Sequence, residues 1–209
     1  MGGAAWRLFV AVPVPDGVRA TLADILEPVR RRVRGGRWQA PETWHLTVRF
    51  LGDTPLAALP AIETAVRRTA ASRGPFPVEL GEAGAFERRR GGRVAWVSLA
   101  RGEAELAALA AGLAALLAPG QAAQEPFRVH LTIAREAPDE LVAAVAAAIA
   151  AARQRDRSGA HVSVGLGARP VPPAGGVLAW TADRLVLYRS VLGSAGATHT
   201  PLLDVPLTG

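Results

Sequence analysis

Two segments of this chain nearly repeat each other: "HLTVRF" at residues 45–50 and "HLTIAR" at residues 130–135. Each opens on histidine with threonine two places later, and together they use two of only four histidines in 209 residues. In an extended strand successive side chains point to opposite faces. His45, Thr47 and Arg49 therefore share one face, while Leu46, Val48 and Phe50 share the other, fit for a core. In the second copy Leu131 and Ile133 face the core, and His130 and Thr132 face away. If the two strands meet across a cleft, two imidazoles confront two hydroxyls. That set suits phosphodiester cleavage without a metal. A neutral imidazole takes a proton from the attacking water, and an imidazolium gives one to the leaving oxygen. An unperturbed histidine pKa of about 6.5 lets both roles be filled near neutrality. Threonine hydroxyls can donate to the non-bridging phosphate oxygens, where negative charge accumulates.

A lone strand histidine is usually structural; the repeated His-x-Thr is what favours catalysis here. Two zinc ligands are the rival, but no His-x-His and no carboxylate cluster stands beside either motif, and threonine is a poor zinc ligand. His161 and His199 lie outside both motifs and read as structural or exposed.

The elements that must position these residues alternate along the chain. "RLFVAVPVP" (7–15) reads as a buried strand stopped by proline, and 16–34 as an amphipathic helix with Asp16 as its N-cap. "WHLTVRFLGD" (44–53) is a strand ending at a turn, followed by a helix over 56–72. Segments 76–87 and 92–100 pair as strands about an arginine-rich turn. A helix over 102–120, the strand "FRVHLTIAR" (127–135) and a helix over 138–155 repeat the pattern. The tail offers "HVSVGLGARP" (161–170), a Pro/Gly-rich loop (170–176), and short strands at 184–193 and 201–207. Hairpin-like pairs argue against a purely parallel sheet. The reading is α+β: one bilobal domain over residues 1–209, with two pseudo-symmetric halves of mainly antiparallel sheet, outer helices and a central cleft. The motifs stand 85 residues apart, about the size of one half.

Half of the chain is hydrophobic, which supports a sizeable core, and there is no cysteine, which fits a reducing cytosol. All 24 basic residues are arginine, and the formal charge of +6 would attract phosphates. "LFVAVPV" (8–14) is too short and proline-marked for a signal-peptide core. The longest uncharged apolar run, 141–152, falls short of the roughly 20 residues of a membrane span. The expectation is a soluble, cytoplasmic protein.

The chain resembles the two-histidine phosphoesterases, marked by paired H-x-[ST]-x motifs. More narrowly it is similar to the bacterial and archaeal RNA 2′,3′-cyclic phosphodiesterases, historically called 2′-5′ RNA ligases. The likeness rests on "RLFVAVPVPDGVR", "RWQAPETWHLTVRFLGD", "GAFERRRGGRVAWVSL", "PFRVHLTIAR" and "RLVLYRSVLG", five segments in family order. It implies a bilobal α+β fold and opening of a terminal 2′,3′-cyclic phosphate on RNA to a 2′-phosphate. It implies no metal, cofactor or membrane, and the expectation is a monomer. Carried onto matching positions, His45 would donate a proton to the leaving 3′ oxygen and His130 would accept one from water. Thr47 and Thr132 would hold the phosphate.

Trp44 and Val129 depart from the smaller aliphatic residue and the proline usual in relatives. Arg135 would bind phosphate too, but strict alternation sets it with Leu131 and Ile133, so it reaches the cleft only if the strand bulges or ends there. Arg49 has the parity of the cleft face, with a solvated rim residue as the plainer reading. Arg88, Arg89, Arg90 and Arg93 could track an RNA backbone, although a solvated turn is the plainer reading. Trp38, Trp44 and Trp96 could stack a base or fill the core. Rival functions are a phosphodiesterase on 2′-5′ linked oligonucleotides or cyclic nucleotides, and a non-catalytic module binding RNA ends.

Overall fold

The computed structural model describes residues 4–87, 92–117, 128–158, 176–193 and 196–209. Nine strands and four α-helices run β1 (Ala5–Pro13), α1 (Asp16–Arg32), β2 (Arg37–Trp38), β3 (His45–Pro55), α2 (Leu59–Ala70), β4 (Phe76–Glu87), β5 (Arg93–Arg101), α3 (Glu103–Leu117), β6 (Leu131–Ala137), α4 (Asp139–Arg157), β7 (Ala179–Ala182), β8 (Arg184–Gly193) and β9 (Gly196–Pro206) among the described residues. The expected α+β architecture is present. One sheet has the order β3-β1-β8-β9 and the other β2-β6-β5-β4-β7. Every described pairing is antiparallel.

The helices form where apolar residues recur at helical spacing. Val18, Leu22, Leu26 and Val29 line the buried stripe of α1, and Leu141, Val145, Ile149 and Ala152 that of α4. Asp16 is not the N-cap of α1. Pro15 occupies that place, and Asp16 pairs with Arg19 inside the first turn. Arginines 30–32 close the helix, where cations complement the dipole. Pro60 falls at the first turn of α2, where its missing N–H has no bond to lose.

Coverage of the sheets is exchanged between the halves. Helix α2 packs on β8 and β9 of the first sheet, and is joined there by α3, which follows β5 of the second sheet but packs on α2 and β3. Helix α4 packs on β4 and β5, and is joined by α1, which follows β1 of the first sheet. Each sheet is thus roofed by one helix of its own half and one lent by the other. A single apolar cluster runs through both, from Leu8, Val10 and Leu46 to Val97, Leu131 and Ile149. The motif strands β3 and β6, from different sheets, approach each other across the cleft.

Strand β7 went unforeseen, and β9 begins well before the expected 201. The segment "HVSVGLGARP", the Pro/Gly-rich loop except Gly176, and Arg88, Arg89 and Arg90 lie outside the described residues.

Candidate active site

His45 opens β3 and His130 immediately precedes β6, each preceded by a buried residue, Trp44 or Val129, that roots the strand in the core. The two departures from the family pattern are therefore core residues. Both imidazoles are tethered alike. Nδ1 of His45 lies 2.7 Å from the Thr43 carbonyl oxygen, and Nδ1 of His130 lies 2.9 Å from that of Arg128. A carbonyl only accepts, so Nδ1 carries the hydrogen in both rings, and Nε2 is left for a substrate. Each ring also rests on a phenylalanine: Phe9 at 4.6 Å from His45, and Phe86 edge-on at 4.9 Å from His130. Phe86 in turn leans on Trp96 at 5.0 Å. Gly84 makes that possible, because a Cβ there would sit 2.7 Å from the indole of Trp96.

The register explains which side chains share the cleft face. Cross-strand partners lie on the same face, so His45 opposite Pro13 and Thr47 opposite Ala11 share a face with Phe9. Val10 then pairs with Arg49, which leaves Val48 as an extra residue. In β6 the same thing happens at the same place: Trp96 pairs with Thr132 and Ala95 with Ala134, leaving Ile133 extra. A β-bulge directly after each threonine breaks the alternation. Ile133 and Ala134 are consequently both buried.

Two expectations change as a result. Arg49 pairs with Val10 and leaves the face of His45 and Thr47, so the cleft-facing place that parity suggested for it is not realised. Phe50 is not core; it pairs with Phe9 on the face that carries His45 and Thr47, and is 53% exposed. The bulge that Arg135 required is present. Arg135 is exposed, and its charge disfavours protonation of both His45 and His130. His45, His130, Thr47, Thr132 and Arg135 are therefore brought together. Neither threonine hydroxyl has a hydrogen-bond partner among the described residues.

His199, which the sequence alone leaves as structural or exposed, packs into this constellation. It projects from β9, opposite Ser190 of β8, and its ring stands edge-on to His45 at 5.3 Å and to Phe9 at 4.9 Å. Tyr188 completes the group, stacked on Phe9 at 5.1 Å. Only the long-range pairing β3-β1-β8-β9 brings His199 to His45, so no local signal announced it.

Burial dominates the electrostatics. It pulls the His45 pKa down from 6.5 to about 4, opposed by the Thr43 carbonyl and assisted by the charges of His199, His130 and Arg135. His130 is also lowered, by burial first and then by Arg135, against the Arg128 carbonyl. His199 is lowered by burial. Near neutrality the unliganded site thus holds neutral imidazoles beside a fixed arginine charge.

The chain matches the 2′-5′ RNA ligase superfamily over residues 14–191. It belongs to that superfamily. An RNA 2′,3′-cyclic phosphodiesterase of Thermus thermophilus is 32% identical over 97% of this chain and 91% of its own length. A protein of the same name from Archaeoglobus fulgidus is 34% identical over 62% of this chain and 72% of its own. A crystal structure from Thermus thermophilus superposes with a TM-score of 0.67 at 30% identity, covering 97% of this chain and 98% of that one. Escherichia coli LigT in its apo form gives 0.65 at 24% identity, over 99% and 100%, a likeness of fold.

In this superfamily member the arginine-rich turn contributes one described residue, Arg93. It joins Glu87 at 3.6 Å and Asp139 at the start of α4 at 3.3 Å, so its charge is engaged within the fold. Trp44 is core, Trp38 is half-buried, and Trp96 lies beside His130. Among the described residues no three His, Cys, Asp or Glu side chains cluster as metal ligands, and no helix is long and apolar enough to cross a membrane.

Proposed function

We propose that this protein hydrolyses RNA 2′,3′-cyclic phosphate ends to 2′-phosphates by metal-independent, two-histidine acid–base catalysis. The observation that carries the reading is the matched pair of imidazoles, each tethered through Nδ1 to a backbone carbonyl two residues back, with a threonine two residues on whose hydroxyl has no hydrogen-bond partner among the described residues. The names of the Thermus and Archaeoglobus relatives support the substrate class. Nε2 of His130 takes a proton from water as the water oxygen bonds to phosphorus. The bond from phosphorus to the 3′ oxygen breaks, and Nε2–H of His45 protonates that oxygen. Thr47, Thr132 and Arg135 stabilise the charge on the non-bridging oxygens. Solvent then resets both rings. A single monomeric domain over residues 1–209 suffices, since both motifs come from one chain.

The lowered pKa of His45 bears on its role as acid. An opposite charge within ~4–6 Å favours the charged form of a titrating group and so raises the pKa of a histidine. The substrate's own phosphate supplies that charge and offsets the cations around His45. The reversed assignment, with His45 as base, draws support from the same lowered pKa, and a substrate with an activated leaving group separates the two. The primary test is a defined RNA ending in a cyclic phosphate, incubated in EDTA and followed by phosphorus NMR. A 2′-phosphate product is expected. Turnover that vanishes in EDTA and returns with a divalent ion would overturn the metal-free mechanism, and a product that is only 3′-phosphate would overturn the leaving-oxygen assignment.

A further inference from the structure

The paired bulges bring the fifth residue after each motif histidine onto the catalytic face. In the second motif that residue is Arg135; in the first it is Phe50. An exposed phenylalanine at a position symmetry-matched to a phosphate-directed arginine calls for an account. Phe50 ranks among the exposed large hydrophobics at 53%, and it stands on the side of the sheet that carries His45 and Thr47. Its ring leans along β3 over Gly52, where a Cβ would lie 3.6 Å from its edge. The guanidinium carbon of Arg7 lies over the ring, 4.6 Å from its centroid. Arg7 is two residues from Phe9, hence on the same face, and is half-buried. Asp53 stands opposite Arg7 in the register, yet no ion pair joins them.

Resting on the proposed activity, we propose that Phe50 and Arg7 form the subsite for the nucleotide on the 5′ side of the cyclic-phosphate end. Its base stacks on the Phe50–Arg7 layer, and its phosphodiester, which joins it to the terminal nucleotide, pairs with Arg7. Charge decides the direction of the strand. On the other flank of the His45 face lies a cavity of about 370 Å³ lined by Asp16, Asp183 and Asp204 along with Arg19, Arg184 and Tyr188. There both arginines are already engaged by those carboxylates, so a phosphodiester backbone gains nothing. On the Phe50 flank the Arg7 guanidinium has no carboxylate partner among the described residues and lies beside an aromatic platform, the combination single-stranded nucleic acid takes.

The test compares two substrates: a tetranucleotide RNA with a 2′,3′-cyclic phosphate end and a nucleoside 2′,3′-cyclic monophosphate, which has no 5′ neighbour. Phe50→Ala and Arg7→Gln are expected to lower kcat/KM on the tetranucleotide roughly 5- to 100-fold, mainly through KM, as loss of one base stack does. On the mononucleotide both variants stay within about twofold of wild type. Phe50→Trp is expected to restore the tetranucleotide rate. Equal losses on both substrates, or no loss on the tetranucleotide, would overturn the subsite. Equilibrium binding of a tetranucleotide ending in 2′-phosphate, read by fluorescence anisotropy, tests the subsite even if the wild type opens neither cyclic substrate, an outcome that would sink the proposed activity alone. Both variants should weaken that binding, and Arg7→Gln alone should reduce its salt slope by about 0.7, one phosphate contact on a single strand. Unchanged binding in both variants would overturn the subsite.

Discussion

On the proposed mechanism His45 has two requirements that oppose each other: it sits half-buried in the cleft, and it must hold a proton to serve as acid. Burial and the neighbouring cations win in the unliganded protein, which leaves it neutral down to about pH 4. A free-enzyme acid group of that kind places the lower limb of the kcat/KM profile near its own pKa. The bell-shaped optimum is accordingly expected on the acid side of 6.5, because His130 is lowered as well. His199 gives a further handle. A like charge disfavours the protonated form, so removing it by His199→Gln should raise the His45 pKa and move the lower limb upward. A limb that stays put would show that the two rings do not couple. The acid and base roles separate on a second measurement. Alanine at either His45 or His130 should cost about 10²–10⁴ in rate. An activated aryl phosphodiester, whose leaving group needs no proton, should rescue much of the His45→Ala defect and little of the His130→Ala defect. Rescue in the opposite order would reverse the assignment.

Strands β3 and β6 explain both what could be foreseen and what could not. The His-x-Thr spacing put His45 with Thr47 and His130 with Thr132, and the structure keeps both pairs because alternation holds up to each bulge. Past Val48 and Ile133 it fails. Nothing local marks a bulge there: both residues are β-branched and apolar, good strand residues that an unbroken strand would also use. Simple alternation consequently sets Arg49 and Phe50 on each other's faces, and Arg135 reaches the cleft only through an irregularity that its sequence does not announce. His199 was invisible for a different reason, since its proximity to His45 spans the whole width of the sheet. The exchanged faces give a direct test. Arg135→Ala should lower kcat roughly 10²–10³-fold, the range for losing one donor to a developing oxyanion. Arg49→Ala, one bulge away from the face it was expected on, should stay within about threefold. Comparable losses in the two variants would mean that the register inferred at Val48 is wrong.

At the scale of the whole molecule, the exchange of helices decides how the cleft is held together. The first sheet is covered by α2 with the borrowed α3, and the second by α4 with the borrowed α1. Neither half therefore owns a closed core: removing one half takes away a helix from the other's roof. The apolar stripes are substantial, with Leu106, Leu109 and Leu113 of α3 and Leu22 and Leu26 of α1 all buried. Exposing either stripe removes several side chains worth roughly 1.5–3 kcal/mol each when fully buried, which is comparable to the ~5–15 kcal/mol stability of a typical domain. The two lobes should then unfold as one unit, although the sequence repeat invites the picture of two separable modules. Buried tryptophans report on each side, Trp44 next to His45 in the first sheet's half and Trp180 in β7 of the second sheet. Variants retaining only one of the two, with the remaining tryptophans changed to phenylalanine, should give coincident denaturant transitions with the same midpoint and slope. Two separated transitions would show that the lobes fold independently, and that the cleft is an interface between domains and no longer the interior of one.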